Sequence, residues 1–153
     1  MMQMDTFDPK ILTILQREAD VALETLGMRV GLSRNAVWRR IKALEAAGVI
    51  RARVALLDPE QIGLGLSVFM LVRTDRHTPE WLEKFAVAVR DLPQILGAYR
   101  MTGDLDYLIH ARVADVKDYD ALYRALVARV DFGDVSASFV MEEIKETTEM
   151  PVF

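Results

Sequence analysis

The sequence predicts an α+β chain in two parts, a three-helix unit over residues 1–63 and a βαββαβ unit over residues 64–153. Three observations predict it. Apolar residues recur at helical spacing in three successive runs before Gly48. The stretch "GLS", Gly31 to Ser33, separates the second and third runs with the spacing of a helix-turn-helix. Beyond Gly65, strand-like and helix-like runs alternate in the ferredoxin-like order, an antiparallel sheet with both helices on one face.

Asp8 and Pro9 open the first helix, with proline in the first turn, where its missing donor is harmless. Ile11, Leu12, Leu15 and Ala19 repeat along one face. The second helix, about Ala22 to Val30, aligns Leu23, Leu26 and Val30 and stops at Gly31, a residue suited to a left-handed helix end. Ser33 caps the third helix, which runs to about Ala47 and ends at Gly48.

At about 100° per residue, Val37, Ile41 and Leu44 of the third helix form a buried stripe. Asn35, Trp38, Arg39 and Lys42 fall on a separate outward arc. Such an arc suits base reading in a major groove, with arginine for guanine, asparagine for adenine and an apolar side chain for a thymine methyl. Trp38 has a second reading, half-buried packing against the first helix. Arg34 and Arg40 lie on the flanks, where phosphate contact is expected. With Ser33 and Arg51 they complete the candidate set for double-stranded DNA. Charge agrees locally: the chain carries a net charge of −4, yet Arg29 to Arg53 holds seven basic side chains and one acid, Glu45.

In "VIRARVALLDPEQIGL" the arginines alternate with apolar residues in strand fashion, as a wing or as a tether, before a break near Pro59 to Gly65. Leu66 to Arg73 is then a first strand, and Thr78 and Pro79 start a helix with Trp81, Leu82, Phe85 and Val89 on one face. Ile95 to Met101 and Tyr107 to Val113 are strands around the polar break "TGDLD". Tyr119, Leu122, Tyr123, Leu126 and Val130 mark a second helix, and Val135 to Met141 is a last alternating strand. "VFMLV" is apolar on both sides, so the sheet face left open by the helices invites self-association.

Enzymatic chemistry finds little support. There is no cysteine, which removes disulfides and thiolate chemistry and suits a reducing, cytoplasmic setting. His77 and His110 share no metal-ligand spacing, the glycines form no phosphate loop, and no cofactor or metal is expected. Asp104 and Asp106 either shape a turn or border a site. The opening Met1 to Asp5 does not read as a secretory leader, and no apolar run approaches the ~20 residues of a membrane helix.

"VGLSRNAVWRRIKALEAAGVIRARVALLDPEQIGL", followed by a unit containing "TGDLDYLI" and closing on "VMEEIKETTEMP", resembles the Lrp/AsnC (leucine-responsive/asparagine regulator, feast-or-famine) family of transcription factors over nearly the whole chain. The resemblance implies a winged helix-turn-helix joined by a strand to a regulatory domain that dimerises, often to octamers, and senses an amino acid or related metabolite. It further implies that Thr102, Gly103, Asp104 and Asp106 border the effector site, with Ser136 and Ser138 as further candidates by position. Two departures stand out: Ala22 occupies the usual capping position of the second helix, and Gly27 within it costs roughly 1 kcal/mol of helix propensity. Related sirohaem decarboxylases are expected to show a His- and Arg-rich motif where this chain reads "AYRMTGDLDYLIHA". The alternatives to a regulator are such an enzyme, or a ligand-binding module without DNA activity.

Overall fold

A computed structural model describes residues 4–153. Met1 to Gln3, part of the stretch read as carrying no leader, lie outside the described residues. The described chain falls into two units, one containing the residues up to Leu56 together with Lys145–Phe153, the other Leu57–Ile144. The division expected after residue 63 therefore differs at both ends. Asp58 Oδ1 accepts the N–H groups of Glu60 and Gln61 in a local turn; this stretch belongs to the second unit, and the C-terminal segment returns to the first.

The first unit is built on α1 (Asp8–Arg17), α2 (Leu23–Val30) and α3 (Arg34–Ala46). Ile11, Leu26, Val37 and Leu44 are fully buried, with Val30 and Ile41 beside them, so the apolar stripe read at helical spacing is the core. Gly31, at φ +77°, ends α2 in the left-handed conformation. The strand expected over the arginine-rich linker is not formed. Residues 51–57 are exposed and pair with no strand among the described residues. Alternation marks an extended backbone, but a strand exists only through a ladder partner, and this unit supplies none.

The second unit orders β1 (Leu66–Arg73), α4 (Pro79–Asp91), β2 (Ile95–Arg100), β3 (Tyr107–Val113), α5 (Val116–Val127) and β4 (Asp134–Phe139). All pairings are antiparallel, in the spatial order β2-β3-β1-β4. Thr78 caps α4 by accepting the Trp81 N–H at 3.2 Å, and Asp115 caps α5 by accepting that of Asp118 at 2.8 Å. Val68, Met70, Val72, Ile109, Ala111 and Val113 alternate onto one sheet face and bury against Trp81, Phe85, Leu122 and Leu126. On the other face Phe69 and Leu71 stand opposite His110 and Leu108, half-buried, with the Phe69 and His110 rings stacked at 4.7 Å. This is the ferredoxin-like arrangement read in the sequence.

Candidate nucleic-acid interface and effector loop

α3 leaves the turn with Ser33 Oγ accepting the Ala36 N–H at 3.3 Å. Because Val37, Ile41 and Leu44 hold one face in the core, Asn35, Trp38, Arg39 and Lys42 are all exposed on the other, Trp38 by 50%. The half-buried reading of the tryptophan gives way to the outward one. The indole lies with Leu23, Arg34 and Asn35 around a shallow recess at the start of the helix.

The basic side chains of this surface divide by their partners. Arg34 pairs with Glu24 at 3.0 Å, and Lys42 pairs with Glu45 at 2.8 Å, both exposed to solvent. Arg40 turns away from the arc. It bonds Asp5 and Asp8, the latter at 3.1 Å, and covers the Phe7 ring at 5.3 Å. Asp8 is 2% exposed, so Arg40, the flanking arginine expected to touch phosphate, neutralises a buried carboxylate and clips α3 to the start of α1. Arg39 and Arg51 make no ion pair among the described residues, and Arg39 is thus the exposed cation of α3 left without an ion-pair partner there.

Two residues that carry this geometry were not singled out for it by sequence reasoning. Asp8 looked like an ordinary first-turn acid, and no local signal revealed that a residue 32 positions away would seal it. Arg53 bonds both the Ala19 carbonyl and Glu45, which ties the linker to the three-helix unit.

In the second unit, residues 101–106 form the β2–β3 loop, and Gly103 takes φ +96°, a conformation that favours glycine. The paired aspartates separate. Asp106 is half-buried: its Oδ2 accepts the Thr74 N–H at 2.8 Å, its own N–H bonds the Val72 carbonyl, and its Oδ1 lies 3.6 Å from His77 Nε2. It braces the exit of β1. Thr102, Gly103 and Asp104 are exposed, and the Asp104 carboxylate has no ion-pair partner among the described residues.

Arg73 draws the loop toward β4: its Nε donates to the Asp104 carbonyl at 3.1 Å, and its Nη1 to Asp134 at 3.2 Å. The sequence showed it only as the polar end of an apolar strand. Ser136 and Ser138 stand opposite Leu71 and Phe69 on the open sheet face. Among the described residues there is no cluster of three metal-ligating side chains, and no helix is long and apolar enough to cross a membrane.

A helix-turn-helix whose third helix exposes Asn35, Trp38, Arg39 and Lys42, followed by a separate sheet-and-helix unit with a polar hairpin, defines a two-domain transcriptional regulator. Residues 4–45 match the AsnC-type helix-turn-helix domain, and residues 67–150 match the Lrp/AsnC ligand binding domain. The chain belongs to the Lrp/AsnC family of transcriptional regulators, as its motifs suggested.

It is 48% identical to the glutamate uptake regulatory protein of Zymomonas mobilis, across 98% of this chain and 92% of that protein. It is 44% identical to the DNA-binding transcriptional activator DecR of Escherichia coli, across 97% and 99%. A transcriptional regulator of Neisseria meningitidis, solved in complex with L-methionine, superposes with a TM-score of 0.93 at 37% identity, over 97% of each chain.

Proposed function

We propose that this chain is a cytoplasmic regulator, without catalytic activity, that reads double-stranded DNA through α3 and whose DNA binding or assembly is modulated by an amino acid or related metabolite. The observation that carries the reading is Arg39, exposed on the same helical face as Asn35 and Trp38 while the neighbouring cations are paired. A planar fork, an amide and a flat apolar surface on one helical face suit guanine, adenine and a thymine methyl. Ser33 and Arg34 at the helix start, Lys42 and Arg51 serve as surrounding contacts, and Arg40 acts from within the unit.

The effector is received at the β2–β3 loop, where Gly103 permits close backbone approach and Asp104 offers a carboxylate to an α-ammonium group. The methionine complex of the Neisseria regulator supports an amino-acid effector. Leu96 and Tyr99 on β2 are more than half exposed, and with Phe69 and Leu71 they supply an apolar surface for a second copy, the start of a dimer that assembles further to an octamer.

The test is to sequence the DNA fragments retained by the purified protein, with and without a panel of amino acids. A regulator retains a defined motif, binds it with steep salt dependence and changes its retention with one effector class. Retention of no sequence above background overturns the reading.

A further inference from the structure

We propose that Lys145–Phe153 is a clasp that fixes α1 of the DNA-binding unit to the chain leaving the ligand-binding unit, and that effector state reaches α3 through it; the second half rests on the regulatory reading above. The chain passes into the second unit at Leu57 and returns at Lys145, so two covalent connections join the units in place of one.

The returning segment is held on α1 by specific contacts. The Gln16 carboxamide engages both backbone groups of Met150, its Nε2 donating to the carbonyl at 3.1 Å and its Oε1 accepting the N–H at 2.7 Å. Arg17 pairs with Glu149 at 2.9 Å. Val152 packs against the apolar cluster of the three-helix core.

These attachments are few, and the Arg17–Glu149 pair is exposed and worth little in water. The segment forms one wall of an open groove of about 610 Å³ whose other walls are Leu12 and Leu15 of α1 and the linker residues 49–54, so it does not close that space. Every residue of the segment but Val152 is exposed, so it opens at low cost, as a switching element must.

Its grip reaches the reading helix by a short route. Gln16 and Arg17 close α1 at one end, and Asp8 at the other end holds Arg40, the neighbour of Arg39 in α3. Gln16 and Arg40 are positioning residues in this scheme.

The test compares the wild-type chain with one ending at Ile144 and with Gln16→Ala/Glu149→Lys, which keeps the Val152 contact should truncation unfold the unit. Amide exchange in α1, affinity for the selected DNA and its change on adding L-methionine or the other amino acids are measured. We expect exchange in α1 to rise while the buried amides of α3 stay protected, DNA affinity to fall about tenfold if the competent arrangement drops to roughly a tenth of the population, and the effector response to shrink. Unchanged α1 exchange and DNA affinity in both variants would overturn the clasp. A wild-type chain that selects no DNA would instead overturn the regulatory reading, leaving the clasp to be judged by exchange.

The absence of native cysteine allows a direct closure test. Arg17→Cys/Glu149→Cys, joined by a short bis-maleimide, should link within one chain, retain DNA affinity and lose its effector response. Linkage only between chains, or an intact response in the linked form, overturns the proposal.

Discussion

A β-carbon on Gly27 would lie 2.6 Å from the carbonyl oxygen of Leu32, closer than real β-carbons approach backbone. The Leu32 N–H in turn bonds the Gly27 carbonyl at 2.9 Å. Glycine at this position lets the chain reverse between α2 and α3 and sets where α3 starts, so the propensity it sacrifices is recovered in the turn. Gly27→Ala would gain about 1 kcal/mol of helix propensity but force a displacement costing about 1–3 kcal/mol. Because the obstacle is backbone and not the end of a flexible side chain, we expect a net loss of stability, read as a lower thermal midpoint, together with weaker DNA binding. A variant as stable as the native chain would show that the turn yields freely.

Arg39 and Arg40 are adjacent in sequence and opposite in consequence. Arg40→Ala leaves the buried Asp8 carboxylate without its guanidinium, a loss of about 2–3 kcal/mol in urea denaturation, below the full cost of a buried pair because Arg40 is itself partly exposed. Arg39→Ala removes no intramolecular partner and should leave stability within about 0.5 kcal/mol while weakening specific DNA binding by about 1–3 kcal/mol and relaxing preference at one base pair. If Arg40→Ala instead preserves stability and lowers the salt dependence of DNA binding, Arg40 is a phosphate contact after all.

The legible parts of this chain were those set by short-range pattern. Val37, Ile41 and Leu44 lie three or four residues apart, and Ser33 and Thr78 cap the helices that follow them, so local spacing located those helices and their buried faces. Apolar β-rich runs located β1 and β3 and alternation located β4, while alternation misled at residues 51–57 because an extended segment and a paired strand share the same pattern. The partners of Asp8, Asp106, Gln16 and Gly27 come from other elements or from the far side of a turn. Local spacing cannot register an arginine 32 positions from Asp8 or a methionine 134 positions from Gln16.

The two loop aspartates should separate under mutation as they do in space. Asp106→Ala removes the acceptor of the Thr74 N–H and loosens the exit of β1, an expected loss of about 1–3 kcal/mol, the cost of a buried donor left unpaired. Asp104→Ala should leave unfolding unchanged, since only its backbone carbonyl is engaged by Arg73, and should abolish the effector-dependent change in DNA binding or assembly. Calorimetric titration with the active amino acid checks the second effect. Equal affinity in Asp104→Ala and the native chain would remove this carboxylate from the effector site.

Acid should weaken the three-helix unit through two carboxylates. Asp5 is held below its ordinary pKa, first by the Phe7 N–H that its Oδ1 accepts at 2.8 Å and then by Arg40. Glu45 is lowered first by its hydrogen bond from Lys42, with Arg53 adding to the effect. Each group binds protons less readily folded than unfolded, so its contribution to stability is present above the unfolded pKa and drains away as pH falls through the folded one. Urea midpoints of the native chain should be level from about pH 7 to pH 5 and then decline toward about pH 3, the range in which such carboxylates protonate. Asp5 is exposed and Glu45 partly so, and added salt should therefore shrink the decline. Asp5→Asn/Glu45→Gln should be less stable than the native chain at neutral pH and decline less steeply in acid. An identical acid profile in this variant would assign the loss to other carboxylates of the three-helix unit.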